Sequence, residues 1–138
     1  MVETQWVRLM GTAARSLVVI MVLISAGCSM SVPAEAVYGS YVASYPFGRE
    51  MIILNRDGTF VQSVAIKQEQ PLTVRGTWNF DPKESRANFY GAVIVADGFD
   101  HLRNDWRTPT TGLVSLDVER HWFRIVMASA ATYPYNKQ

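Results

Sequence analysis

The stretch Leu72-Thr73-Val74-Arg75-Gly76-Thr77-Trp78-Asn79-Phe80 has the most regular alternation of apolar and polar residues in the chain. Its apolar and glycine positions share one side: Leu72, Val74, Gly76, Trp78 and Phe80. Period-two alternation is typical of a β-strand with one buried face. It predicts that Trp78 is buried and that its indole N–H finds a hydrogen-bond acceptor. Gly76 on the same face predicts a bend or the close approach of another side chain.

Similar patterns on both sides of this strand predict further short strands separated by turns. The predicted strands are residues 37–43, 50–54, 59–66, 72–80, 88–96, 113–118 and 122–127, with 132–135 as a closing edge strand. Asp57-Gly58 is a strong hairpin turn signal, and it places Phe60 on the core face. Residues 88–96 are apolar on both faces, which indicates a central strand or one that faces a partner. No stretch after Cys28 clearly predicts an amphipathic helix, and residues 116–127 are the one stretch for which a helix is the alternative to strands.

This spacing favours an all-β fold, an antiparallel meander of about seven or eight strands that forms a sandwich, a small barrel or a half-open barrel. Residues 97–112 interrupt the pattern, and irregular stretches of that length are usually functional or mobile. Within them Trp106 stands beside Arg107, and both aromatic residues and Arg are enriched at contact surfaces. Trp106, Tyr133 and Tyr135 could equally pack against the mouth of the barrel.

Two groups of titratable residues are candidates for chemistry, and a simpler interpretation is favoured for each. His101 lies near three carboxylates of the same irregular stretch: Asp97, Asp100 and Asp105. The EF-hand spacing is absent, and zinc needs three or four convergent ligands. A solvated loop with local ion pairs is therefore the favoured interpretation, and no metal or other cofactor is expected.

The second group is Asp117, Glu119 and His121, which an unbroken strand would place on one face. A carboxylate that orients an imidazole is the layout of a general base. The favoured alternatives are a solvent-facing side of the strand or a turn at Glu119-Arg120. The chain contains no Gly-x-Ser-x-Gly elbow, phosphate loop or His-Glu-x-x-His motif, so we expect a non-catalytic protein.

The first 28 residues have the features of a secretory signal. Arg8 and Arg15 supply a basic start, residues 17–24 an apolar core, and residues 25–27 a small-residue cleavage site. The apolar core is shorter than the roughly 20 residues of a membrane-spanning helix. An uncleaved anchor with a chance cysteine is the less favoured alternative.

Leu23-Ile24-Ser25-Ala26-Gly27-Cys28 resembles a bacterial lipobox, the site at which a lipoprotein precursor is lipidated and cut. The commonest pattern has Leu where this chain has Ser25. The resemblance implies diacylglyceryl and further acyl chains on Cys28, and hence a stable membrane anchor. Ser29 in place of Asp implies the outer membrane, with the protein facing the periplasm. The expected organisation is a signal peptide at 1–27, a lipidated tether at 28–36 and a β-domain at 37–138.

Composition limits what the mature part can do. Removal of the first 27 of 138 residues leaves 111, enough for one domain with a single core. Of 13 Lys and Arg and 12 Asp and Glu, only Arg8, Arg15 and Glu3 precede Cys28, so both mature totals are 11. This balance is unlike that of a nucleic-acid-binding protein. Cys28 is the only cysteine, so the domain has no disulfide.

Three short motifs resemble those of small bacterial lipocalin-like β-domains: Gly39-x-Tyr41, Leu54-x-x-Asp57-Gly58-Thr59-Phe60 and Gly76-Thr77-Trp78. The resemblance implies a meander of about eight strands closing into a half-open barrel.

The first functional expectation is a binding module whose open end, covered by residues 97–112, takes an apolar or cell-envelope ligand. The second is a protein-interaction module that docks an envelope partner through Trp106, Tyr90 and Ile94. A hydrolase using His121 and Glu119 is the third. The candidate binding residues are Trp106, Arg107, His101 and Tyr90.

Overall fold

The computed structural model describes residues 31–128 and 133–138. The predicted signal segment, Cys28 and the first residue of the predicted edge strand lie outside the described residues. A four-residue helix comes first and eight strands follow: α1 Ala34–Val37, β1 Gly39–Tyr45, β2 Gly48–Leu54, β3 Thr59–Ile66, β4 Leu72–Asp81, β5 Arg86–Tyr90, β6 Leu113–His121, β7 Arg124–Ala128 and β8 Tyr135–Lys137.

The eight strands form a closed antiparallel barrel in chain order. Each strand pairs with the next, and β8 closes the barrel by pairing with β1 through Tyr41 and Lys137. This confirms the predicted all-β meander. No helix within the described residues is long and apolar enough to cross a membrane.

The connections of the meander alternate between two ends of the barrel. At one end, here called the base, β1 begins, β8 ends, and the β2–β3, β4–β5 and β6–β7 connections turn. Helix α1 lies there, because Tyr41 Oη donates a hydrogen bond to Val37 O and Lys137 Nζ donates one to Ala36 O. The opposite end, here called the loop end, carries the long β5–β6 connection.

The structure confirms β4 as a strand, as the alternation of apolar and polar residues predicted. Trp78 is 6% exposed, and its Nε1 donates a 3.0 Å hydrogen bond to Asn55 O. Gly76 marks a close approach, since a Cβ at this position would lie 2.1 Å from Tyr90 O and 2.6 Å from Phe60 Cε1. Phe60 is fully buried, as predicted.

The fifth strand differs from its prediction over residues 88–96, because β5 ends at Tyr90. Gly91 has a φ of +84° and turns the chain out of the sheet. The next residues cross the loop end of the barrel, where Ala92, Val93 and Val95 are buried. The two-sided apolar pattern therefore came from a buried plug joined to a strand, not from a central strand.

Other strand boundaries also shift. β1 begins at Gly39 and not at Val37, because Val37 ends α1 and is buried at the base. Strand β6 continues through Val118 to His121, and the chain turns at Trp122-Phe123. The final strand is Tyr135–Lys137, not residues 132–135, so Pro134 precedes it.

Candidate functional site

Two polar side chains, Glu50 and Gln62, are fully buried in the described part of the chain. Both occupy inward positions of their strands, since Glu50 pairs with Ala43 and Val64 while Gln62 pairs with Ile52. Polar groups in such positions are costly unless hydrogen bonds satisfy them. Their partners therefore define the interior of the barrel.

Gln62 connects the buried carboxyl to the plug. Its Nε2 donates hydrogen bonds to Glu50 Oε1 at 2.6 Å and to Val93 O at 2.9 Å. Its Oε1 accepts one from the backbone N–H of Val93 at 2.8 Å. Both backbone groups of a residue that lies outside any strand are thus paired with one side chain, which holds the plug across the barrel.

Tyrosine hydroxyls complete the polar cluster. Tyr45 Oη donates to Glu50 Oε2 at 2.9 Å, and Tyr135 also hydrogen-bonds the Glu50 carboxyl. Burial raises the pKa of Glu50, and the hydrogen bonds from Gln62, Tyr135 and Tyr45 only partly oppose this effect. Burial likewise raises the pKa values of Tyr45 and Tyr135. The Glu50 carboxyl therefore keeps its proton to a higher pH than an exposed glutamate does.

A cavity of about 200 Å³ lies beside this cluster inside the barrel. Its apolar lining includes Ile52, Phe89, Ala92, Val95, Val114 and Leu116. Its polar lining includes Tyr45, Gln62 and Tyr135, which also contact Glu50 or each other. Apolar cavities of about 150 Å³ can hold a benzene molecule. The cavity therefore has room for a small ligand with one hydrogen-bonding end.

The long connection covers the loop end above the cavity. Trp106 is only 4% exposed and packs in a second hydrophobic cluster with Val64, Ile66, Val93 and Val95. The indole is thus part of the cover and is not presented to solvent.

Arg107 lies on the outer side of this cover. Its Cζ stands 4.3 Å from the Trp106 ring centroid, and its Nη2 donates to Glu69 Oε2 at 3.0 Å and Gln70 O at 2.8 Å. These contacts join the long connection to the β3–β4 loop. Arg107 therefore holds the cover in place and does not reach the cavity lining.

The acidic residues around His101 mainly organise the loop itself. Asp97 Oδ1 accepts hydrogen bonds from the backbone N–H groups of Phe99 at 2.8 Å and His101 at 2.9 Å, which lower the Asp97 pKa. Asp105 accepts two 2.8 Å hydrogen bonds from Arg103. Over residues 31–128 and 133–138, no group of three His, Cys, Asp or Glu could hold a metal ion.

Strand β6 places Asp117, Glu119 and His121 on one solvent-exposed face, as an unbroken strand requires. His121 Nε2 lies 2.7 Å from Glu119 Oε2, whereas Asp117 binds Arg86 across the strands at 2.9 Å. The imidazole is thus paired with a carboxylate, as a general base would be. The recess beside the pair is about 700 Å³ and open, and no Ser, Thr or Cys is among the described residues that line it.

Tyr90 and Ile94, the remaining predicted contact residues, are exposed, unlike the buried Trp106. Tyr90 is 49% exposed and pairs across β5–β6 with Leu113, which is 52% exposed. Ile94 is 38% exposed and also lines the cavity. The structure thus places Tyr90, Leu113 and Ile94 at the surface of the loop end.

Sequence reasoning missed the polar cluster, although its signal was present. Glu50 has the same parity in its strand as Ile52 and Leu54, and Gln62 has that of Phe60 and Val64. A polar residue at a core-facing position is the pattern that could have identified them.

No protein-family model, curated protein or solved structure matches this chain.

Proposed function

We propose that this protein is a lipid-anchored binding module of the bacterial cell envelope, whose barrel interior takes a small, uncharged and mostly apolar ligand. The observation that carries the proposal is the cavity of about 200 Å³ beside the buried Glu50 carboxyl. Small-molecule sites are typically concave and apolar, with a few polar groups that fix the orientation of the ligand. The cavity meets this description, because most of its lining is apolar and Tyr45, Gln62 and Tyr135 supply the polar groups.

The charge state of the site selects the ligand class. The described cluster of Glu50, Gln62, Tyr45 and Tyr135 contains no cationic side chain, so an anionic ligand would be desolvated without a counter-charge. The raised pKa of Glu50 favours its neutral form, which can donate a hydrogen bond. An alcohol, phenol, amide or similar neutral group is therefore the polar end that fits best.

The anchor rests on the lipobox-like stretch that ends at Cys28. Its test is growth of the host with an alkyne analogue of palmitate, which should label the wild-type protein and not Cys28→Ser. The variant should also remain an uncleaved precursor or leave the detergent phase. Equal labelling of both proteins would contradict the anchor.

Native mass spectrometry tests the binding function. Protein extracted from its own host in mild detergent should carry an added mass that organic solvent removes. The Val114→Phe variant, which places a ring in the cavity, should lack this added mass. Wild-type protein that carries no mass removable by organic solvent, when isolated from cells in several growth phases, would contradict the proposal.

Docking of an envelope protein is the second candidate function. Its support is the exposed pair of Tyr90 and Leu113, with Ile94 also exposed, since exposed apolar patches often mark interaction sites. Trp106 would contribute only indirectly, because it is buried. Photo-crosslinking from position 90 distinguishes this function from ligand binding, which needs no partner at that surface. The Glu119–His121 pair keeps a hydrolase as a third, weaker candidate.

A further inference from the structure

Two adjacent aromatic side chains form the tip of the β6–β7 hairpin and are almost entirely exposed. Trp122 is 90% exposed and Phe123 98% exposed, whereas Trp78 and Trp106 are 6% and 4% exposed. Adjacent large apolar groups in water mark a surface that something else covers. The described part of the barrel does not cover these two rings.

The backbone conformation at the tip is also energetically unfavourable. His121 pairs with Arg124, so the turn has two central residues, and the first of them, Trp122, has a φ of +57°. Glycine or asparagine is the usual residue where a tight hairpin turn needs a positive φ. A bulky residue there has a conformational cost, and such costs concentrate at functional positions.

The turns of the other two hairpins at the base are made of polar residues, glycine and proline. The β2–β3 turn is Asn55-Arg56-Asp57-Gly58, and Asp57 Oδ1 accepts a 2.9 Å hydrogen bond from Thr59 N. The β4–β5 connection is Pro82-Lys83-Glu84-Ser85. Neither presents an aromatic side chain. The exposed rings are therefore a feature of the β6–β7 hairpin and not of every turn at this end.

The aromatic tip is close to the place where the chain enters the barrel. Ala36 of helix α1 and Phe123 line one recess of about 640 Å³, together with Ile125 and Lys137. Only Ser29 and Met30 separate Cys28 from Ser31, and the three peptide units that join them span at most about 11 Å. A lipid on Cys28 would thus hold the base, and the hairpin with it, near the bilayer surface.

We propose that Trp122 and Phe123 insert into the interfacial layer of the membrane to which Cys28 is anchored. This inference rests on the proposed anchor. Tryptophan is enriched at the membrane interface because its amphipathic ring suits the headgroup region. Arg124 directly follows the tip, is exposed, and brings positive charge toward anionic headgroups.

The anchor and the hairpin would act together. A single hairpin is a weak membrane ligand, but tethering makes its insertion an intramolecular step at high effective concentration. Two points of attachment at the base also restrict rotation of the barrel. The loop end, with the cover above the cavity, would then face away from the bilayer and toward the periplasmic side.

Fluorescence quenching by lipid tests the insertion. The full chain is isolated from host membranes and reconstituted into phosphatidylcholine and phosphatidylglycerol vesicles, either ordinary or brominated near the top of the acyl chains. Trp122→Phe gives the emission of the other tryptophans, to be subtracted. A matched reporter combines Trp122→Phe with Phe99→Trp, because Phe99 is 83% exposed and lies in the β5–β6 connection at the loop end.

Brominated lipid should remove most of the Trp122 emission and leave the emission of the reporter at position 99 unchanged. Intact mass of the same protein reports whether Cys28 carries lipid, so failure of the anchor is seen separately. Trp122 emission of equal intensity in both kinds of vesicle would overturn the inference, whatever the mass. Equal quenching at positions 122 and 99 would overturn it as well.

Discussion

Gln62 Nε2 donates a 2.6 Å hydrogen bond to Glu50 Oε1 inside the barrel. The same amide group binds both backbone groups of Val93 in the plug. One side chain therefore links the buried carboxyl, the wall of the barrel and the segment that closes its loop end. A change in the protonation of Glu50 acts directly on the structure that borders the cavity.

Glu50 should make stability depend on pH. The unfolded chain releases this proton near the ordinary Glu value of 4.5, whereas the folded chain releases it at a higher pH. Below pH 4.5 Glu50 is protonated in both the folded and the unfolded chain, so its burial places no charge inside the barrel. As the pH rises through the raised pKa, the folded state must bury a charge and the free energy of unfolding falls, by about 1.4 kcal/mol for each pH unit between the two values.

Glu50→Gln removes this titration and keeps the size of the side chain. Urea denaturation between pH 4 and pH 8 should show the wild type losing stability relative to the variant as the pH rises. The exposed Glu84 provides the control, and Glu84→Gln should follow the wild type at every pH. Parallel curves for wild type and Glu50→Gln would show that the buried carboxyl is not perturbed.

Truncation of Trp78 should be far more damaging than truncation of its neighbour. Trp78 is buried and donates to Asn55 O, so Trp78→Ala should lower the free energy of unfolding by about 3–5 kcal/mol. Thr77 is exposed on the outer face of β4, and Thr77→Ala should cost much less. Chemical denaturation of both variants checks this, and equal losses would mean that the register of β4 is wrong.

Gly76 should tolerate no side chain. A Cβ at this position would lie 2.1 Å from Tyr90 O, a backbone atom that can move only if β5 moves. Gly76→Ala should therefore cost about 1–3 kcal/mol or more, the range for overpacked cores. Gly98 has nothing within 4 Å of such a Cβ, and Gly98→Ala is the control that should leave the melting temperature unchanged. A Gly76→Ala protein as stable as wild type would contradict the close packing of β4, β5 and Phe60.

The sequence was most informative where alternation decides which face of a strand is buried. The alternation from Leu72 to Phe80 predicted a strand and the burial of Trp78, because a period of two puts these residues on one face. It left open whether Gly76 marks a bend or a close approach, and the structure shows the close approach. It failed after Tyr90, since a buried plug and a buried strand have the same apolar composition. Only Gly91, with its positive φ, marks the point where the sheet ends.

The candidate site was less predictable, because it depends on contacts between distant residues. Glu50 and Gln62 meet through the pairing of β2 and β3, and Val93 joins them from a segment 31 residues further along the chain. Trp106 looked like a contact residue because it stands beside Arg107 in an irregular stretch. The structure buries its ring, and the pair acts as a cover over the loop end.

Binding inside the barrel is tested most directly by ligand-observed ¹⁹F NMR with 4-fluorobenzyl alcohol, a small neutral molecule with one hydroxyl. The wild type should broaden the fluorine signal, and Val114→Phe should abolish the broadening, because Val114 lines the cavity. Leu113→Phe, on the exposed face of the same strand, should bind like the wild type. Circular dichroism checks that both variants are folded. Ala96 also lines the cavity, so Ala96→Leu is a second cavity-filling variant and should abolish the broadening as well. A wild-type protein that leaves the signal sharp, or equal broadening by wild type, Val114→Phe and Leu113→Phe, would contradict binding in the cavity.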